Sequence, residues 1–356
     1  MEVMNWIFWG LRTILQFLPP VEMVLTLGLI LFGLSWIRPR RIVSLPSSGR
    51  RVETLRWVGI AGSLAVVAVG SVTSWIATLD PLNNWGGWWQ RPAPLAATAL
   101  VILVAALLLR REPLLAPGEG AISPRRRWWA FTPRASLWIL FASSSLLLVT
   151  TAWQLLIGVS APPGANRYGI VPPETGLPVY MTMQNGMGYV WGAGWPNHLA
   201  TLLVLLTAAF ALVALLSTDA NRPLFARSSA AEVREERAST AQIITLLALG
   251  GLLLTLGAVW AHVGFIGQII VGVFEDNGGA PDPQRFVVGT GYQSIAPLMH
   301  LGGYVVQGIG AALLLRLAVD TGRAVFAGRR AASPDPDPSS PAPATASASS
   351  DTGAAR

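Results

Sequence analysis

The sequence predicts an all-α, polytopic integral membrane protein with seven transmembrane helices, its N-terminus outside and its C-terminus inside. Three observations predict it. The composition is 52% hydrophobic and 12% charged with a mean hydropathy of +0.51, too little polar surface to cover a globule in water. Seven nearly uncharged apolar runs approach the roughly 17–25 residues that a helix needs to cross lipid with its backbone fully paired. Arginine, which supplies all 25 basic residues, is concentrated in alternate loops between those runs.

The chain opens on an apolar segment, residues 1–20, carrying Glu2, Asn5, Arg12 and Gln16 near one helical face. That pattern predicts an amphipathic helix lying in the outer interface, broken at Pro19 and Pro20. A signal peptide would start basic and end in a small-residue cleavage site, and neither is present. An eighth span would have to bury Arg12 and Gln16 in lipid.

Residues 21–320 then read as a seven-helix membrane domain. Its runs are 21–37, 57–79, 94–109, 136–158, 198–217, 241–265 and 295–315, the sixth extendable towards Phe274. The loops after the first, third and fifth runs and the segment after the seventh hold 21 of the 25 arginines. They read as cytoplasmic. The opposite loops hold only Arg91, Arg167 and Arg285. The net charge of +7 is therefore topogenic and faces lipid headgroups, and nucleic acid is not an expected partner. The absence of lysine, with abundant Ala, Gly and Pro, is the coding bias of a GC-rich bacterial genome and points to a bacterial plasma (inner) membrane. Residues 331–356, rich in Pro, Ser and Ala, have no apolar face to bury and read as a disordered cytoplasmic tail.

Each helix that would run from outside to inside begins at a proline: Pro20, Pro94, Pro196 and Pro297. Proline in a first turn forfeits no intrahelical bond, which accounts for this without an internal repeat. Small and polar residues mark the faces turned towards other helices. These are Gly59, Ser63, Gly70 and Ser74 in the second run, and Ser143, Thr150 and Gln154 in the fourth. Gly250, Gly257 and Gly264 mark the sixth, and His300, Gly303, Gln307 and Gly310 the seventh. Gln154 and Gln307 are the polar groups expected in the bundle interior.

Several chemistries are excluded or lack a signal. Without cysteine there is no disulfide, thiolate nucleophile or thiolate-held cluster. Without lysine no retinal Schiff base forms, whatever the helix count. No Walker A, H-E-x-x-H or nucleophile-elbow motif is present, and a non-enzymatic role is expected. No charged residue lies mid-span. Glu22, Asp80 and Asp320 sit at helix ends, where interfacial solvation is expected, and Glu235-Glu236 reads as a solvated helix face. Glu275 and Asp276 read as the end of a helix leading into an Asn-Gly-Gly turn.

What remains is the outer face. Two long outer loops, 159–197 and 275–294, are rich in Gly, Pro and aromatics, a composition expected to fold into an ordered cap. A ligand or partner surface is expected at Trp85, Trp88, Trp89, Met181, Met183, Met187, Trp191 and Trp195. It would serve a lipid, a small ligand, or a membrane or extracytoplasmic protein. All three histidines fall at outer helix ends. His198, His262 and His300, with the methionines, allow copper or a single haem as an alternative, and a passive permease is a third reading. Of these, His300 stands out. It lies sixteen residues before Arg316, about 24 Å at ~1.5 Å per residue, inside the outer leaflet. Its expected partners there are Gln154, His198 or His262.

Overall fold

The computed structural model describes residues 20–37, 42–43, 45, 50–79, 84–111, 120–121, 126–168, 176–222, 224–225, 229–275 and 284–332. The expected interfacial helix and nearly all of the expected tail lie outside them.

The chain is mostly helical, and each apolar run lies in a helix. These are α1 (Pro20–Leu34), α2 (Arg50–Leu79, continuous through a π turn at Val58–Gly62), α3 (Ala93–Arg110), α4 (Arg134–Leu156), α5 (Trp195–Ala220), α6 (Ala230–Gly267) and α7 (Ala296–Ala332). Six of them, α2 to α7, are long and apolar enough to cross a membrane. The first, α1, has 15 residues, about 22 Å of helix against a core of about 30 Å. It lies against α7 and α2.

Helix α6 is the centre of the bundle. Its apolar window is 78% buried, against 22–44% in the other five, and it touches α7, α3, α4 and α5. A helix enclosed on all sides needs no apolar stripe. Its glycines set the closest approach. A Cβ on Gly257 would fall 2.4 Å from the Gly303 carbonyl, one on Gly264 2.2 Å from the His300 nitrogen, and one on Gly303 2.4 Å from the Ala261 nitrogen. The small-residue faces of α6 and α7 thus bring two backbones into contact, as helix association in lipid favours. Large apolar side chains such as Trp138, Phe141, Leu156 and Phe210 are left exposed on the bundle exterior.

The end of the bundle where α2 begins and α5 finishes is tied together by charge. Arg51 on α2 pairs with Asp219 on α5 and with Glu236 on α6. Arg316 pairs with Asp320, whose carboxylate also accepts the Ile42 amide at 3.0 Å. Arg237 donates to the carbonyls of Ala220 and Arg222 at 2.6 Å each, neutralising the C-terminal end of α5. Two sequence expectations are corrected here. Asp320 is 4% exposed, a buried acceptor rather than an interfacially solvated group, and Glu236 is drawn into an ion pair while its neighbour Glu235 stays exposed.

Short strands, which the sequence reading did not expect, join the helices. Near the end of α5, β1 (Gly120–Ala121) pairs with β5 (Leu224–Phe225). In the long loop 159–197, β2 (Arg167–Tyr168), β3 (Tyr180–Met183) and β4 (Gly188–Trp191) form a sheet ordered β2-β4-β3. Asn185-Gly186 between two β-favouring runs is a hairpin signal. Beyond α6, which ends at Gly267 and not near Phe274, β6 (Ile270–Glu275) pairs antiparallel with β7 (Gln284–Gly289). Glu275 therefore closes a strand and not a helix. A bridge between Met183 and Thr290 joins the two outer elements, and Trp153 meets Tyr292 edge-on at 4.8 Å.

Candidate functional site

A cavity of about 340 Å³ opens between α1, α2, the start of α3, α6 and α7. That volume is at the small end of ligand pockets. The elements converge here because α2 presents Gly70 and Ser74, the small-residue face read from the sequence, and α7 presents His300 and Gln307. Gln90 and Arg91 enter from the turn ahead of α3, and His262 from α6. Gln90, Arg91, His262 and His300 gather at the end where α3 and α7 begin and α6 finishes. The opposite end is lined by Val67, Leu254 and Ala311.

Arg91 is the residue that sequence reasoning missed. It is 7% exposed. Its NH1 donates to the Asn197 carbonyl at 3.3 Å, while NH2 is buried with no hydrogen-bond partner. Burial pulls the guanidinium down to about 9, and it remains a cation at neutral pH. The signal in the sequence was its place, an arginine on the arginine-poor side inside a Trp-rich turn. Around it lie other unsatisfied buried atoms, namely Trp191 Nε1, Asn197 Oδ1, His198 Nδ1 and His262 Nε2. An unpaired buried polar group costs roughly 1–3 kcal/mol, so such a concentration marks a place built to meet something polar.

The histidines divide. The His198 and His262 rings lie 6.5 Å apart between centroids, and Trp191 stands 5.6 Å from His262. His198 Nε2 donates to the Gly192 carbonyl at 3.1 Å. Gly192 has φ +113, and a Cβ there would fall 3.1 Å from His262 Nε2, so only glycine admits this ring. His300 takes none of its expected partners. Its Nδ1 donates to the Ala261 carbonyl on α6 at 2.8 Å, and its ring packs against Tyr304 and Phe265. Among the described residues no group of three or more His, Asp or Glu side chains is placed to hold a metal ion. Because the His300 bond joins two helices within lipid, its replacement is expected to cost little. His300→Gln should lower stability by about 1 kcal/mol or less, read as denaturant unfolding in detergent. A loss above about 2 kcal/mol would show that the ring carries more than this bond.

The expected outer surface is divided too. Trp88, Trp89, Met187 and Trp195 are exposed. Met181, Met183 and Trp191 are not surface residues. They lie 3%, 0% and 3% exposed in the core shared by the sheet, α4 and α6, because β3 and β4 fold down onto the helix ends. The side chain of Trp85 lies outside the described residues. Gln154 is 1% exposed, and its backbone carbonyl accepts the Gly194 amide at 2.8 Å. Gln307 lines the cavity.

No family model matches the chain, and no curated protein or solved structure is significantly similar to it.

Proposed function

We propose that this chain is a seven-span protein of a bacterial plasma membrane, N-terminus outside, whose outer half binds a small ligand in the cavity between α1, α2, α6 and α7. The single observation that carries the reading is the cavity itself, apolar along most of its wall and with Arg91, His262 and His300 gathered at one end. Apolar walls with a few convergent polar groups are the usual make-up of a ligand site, and ionisable groups at membrane depth are retained chiefly for function. The arginine asymmetry supports the orientation, and with it the polar end faces outwards.

The test closes the cavity. A Cβ on Gly70 meets Leu254 and Pro94 at 3.6 Å, ordinary contact, so Gly70→Leu keeps the helix and projects the rest of its side chain into the space. Native mass spectrometry of protein released from its own membranes should show a bound small molecule in the wild type and not in Gly70→Leu. Identical small-molecule content in both would overturn the reading. Reporter fusions after Asn185 should report outside and those after Ser228 inside; inversion would place the polar end on the cytoplasmic side.

A further inference from the structure

We propose that the cavity's ligand is an anionic amphiphile, a carboxylate or phosphate headgroup on an apolar chain, and that Arg91 reads the head. The inference rests on the ligand-binding reading above and names the ligand's class.

The charge comes first. Among the described lining residues Arg91 alone carries a formal charge and no Asp or Glu appears, and the ion pairs among the described residues involve Arg51, Arg56 and Arg316 at the opposite end of the bundle. A guanidinium held away from water with a single carbonyl as its acceptor is poorly compensated. An anion supplies both the missing charge and an acceptor for NH2, in the forked geometry that carboxylate and phosphate match. His262 stands on the same wall and adds a polar ring beside the head.

The shape comes second. The lining runs from Phe265 to Leu254 on α6 and from His300 to Ala311 on α7, a rise of about 16 Å on each helix at ~1.5 Å per residue. Below the polar end the wall is formed largely by Val24, Leu25, Val67, Leu254, Ala258 and Ala311. Leu25 is also 37% exposed on the bundle exterior, so this wall reaches the face that meets lipid. A long apolar trough below one cation fits a chain with a charged head and leaves most of its length unused by a compact ion. In the proposed orientation such a ligand lies parallel to the lipids of the outer leaflet.

The experiment uses the full chain in phosphatidylcholine nanodiscs, with dodecyl phosphate, dodecanol and inorganic phosphate as probes and native mass spectrometry and the unfolding temperature as readouts. Dodecyl phosphate should bind one per protein and raise the unfolding temperature. Dodecanol, the chain without the charge, and inorganic phosphate, the charge without the chain, should each bind at least tenfold more weakly. Arg91→Gln should weaken dodecyl phosphate at least tenfold and leave dodecanol unchanged, and that unchanged binding also shows the variant is folded. Arg91→Lys, which keeps the charge and loses the fork, should fall between. Competition by phosphatidylglycerol in the disc identifies a membrane lipid as the source; its absence identifies a free amphiphile. If dodecanol binds as well as dodecyl phosphate, or Arg91→Gln binds dodecyl phosphate like wild type, the anion inference is overturned while the ligand reading stands. If inorganic phosphate matches dodecyl phosphate, the amphiphile is overturned and a compact anion takes its place. If no probe binds and Gly70→Leu changes nothing in the native protein, both fail.

Discussion

Replacing Gly194 by alanine is expected to detach the β2-β4-β3 sheet from the bundle. Gly194 is the residue before α5, with φ +82, and a Cβ there would fall 1.5 Å from the Pro178 carbonyl oxygen. Opposite it, a Cβ on Gly158 would fall 2.2 Å from the Gly194 Cα. Three backbone segments therefore meet with no room for a side chain: the end of α4, the approach to β3 and the start of α5. The Gly194 amide donates to Gln154 at 2.8 Å, and the Gly194 carbonyl accepts the Asn197 and His198 amides. The new methyl cannot be relieved by a rotamer change, because both neighbours are backbone. Left-handed strain adds roughly 1–3 kcal/mol, and the forced backbone shift belongs with the rare substitutions that cost above about 4 kcal/mol. Gly164→Ala is the control. It has φ +77 but open space around it, so it should lose only about 1 kcal/mol. Protease cleavage within 176–192 and the unfolding midpoint in detergent together read the outcome. Equal effects at the two positions would refute the steric account.

The second large effect is expected at the Arg51–Asp219 pair. Arg51 and Asp219 are each 8% exposed in their side chains, and Arg51 also donates to Thr240 at 3.0 Å and to Glu236 at 3.2 Å. Removing one member of a buried pair strands the other, at roughly 3–5 kcal/mol. The two halves differ. Asp219→Leu leaves Arg51 with Glu236, which is 40% exposed, and should cost about 3 kcal/mol, the low end of that range. Arg51→Met leaves the Asp219 carboxylate without its cation and should cost about 5 kcal/mol, the high end. The double variant Arg51→Met with Asp219→Leu removes both charges and should recover most of the loss, since a buried pair is often replaceable by apolar groups of similar volume. Denaturant unfolding of the four proteins reads this cycle directly. Additive losses in the double variant would mean that the two side chains act independently.

The helices were legible because lipid leaves few alternatives: a stretch that must satisfy its own backbone without water is helical, and its residues have to be apolar. The approach of α6 to α7 was likewise legible in Gly250, Gly257, Gly264, Gly303 and Gly310, since only small residues permit that distance. The β2-β4-β3 sheet went unread: Asn185-Gly186 is a hairpin signal that the all-α reading passed over, and the burial of Met181, Met183 and Trp191 depends on the helix ends on which β3 and β4 rest.

The candidate site was legible only in pieces. The face of Gly70 and Ser74 and the face of His300 and Gln307 could each be read from helical spacing. Nothing local says that these two faces enclose one space, that Arg91 enters it, or that His300 bonds the Ala261 carbonyl in place of another side chain. Asp320 and Glu236 show the same division: Arg316 lies one turn from Asp320 on α7, but the Ile42 amide that meets its carboxylate and the Arg51 that meets Glu236 come from far off in the chain. By itself the sequence determined the apolar, mostly helical class, the seven helical runs and the small-residue faces, because solvent and backbone chemistry act on each segment separately. Only the tertiary structure decided which polar groups share a cavity and which stay unpaired. That follows from the packing of residues far apart in the chain, such as Arg91 at the start of α3, His262 near the end of α6 and His300 at the start of α7, and no pattern within any one of those segments carries it.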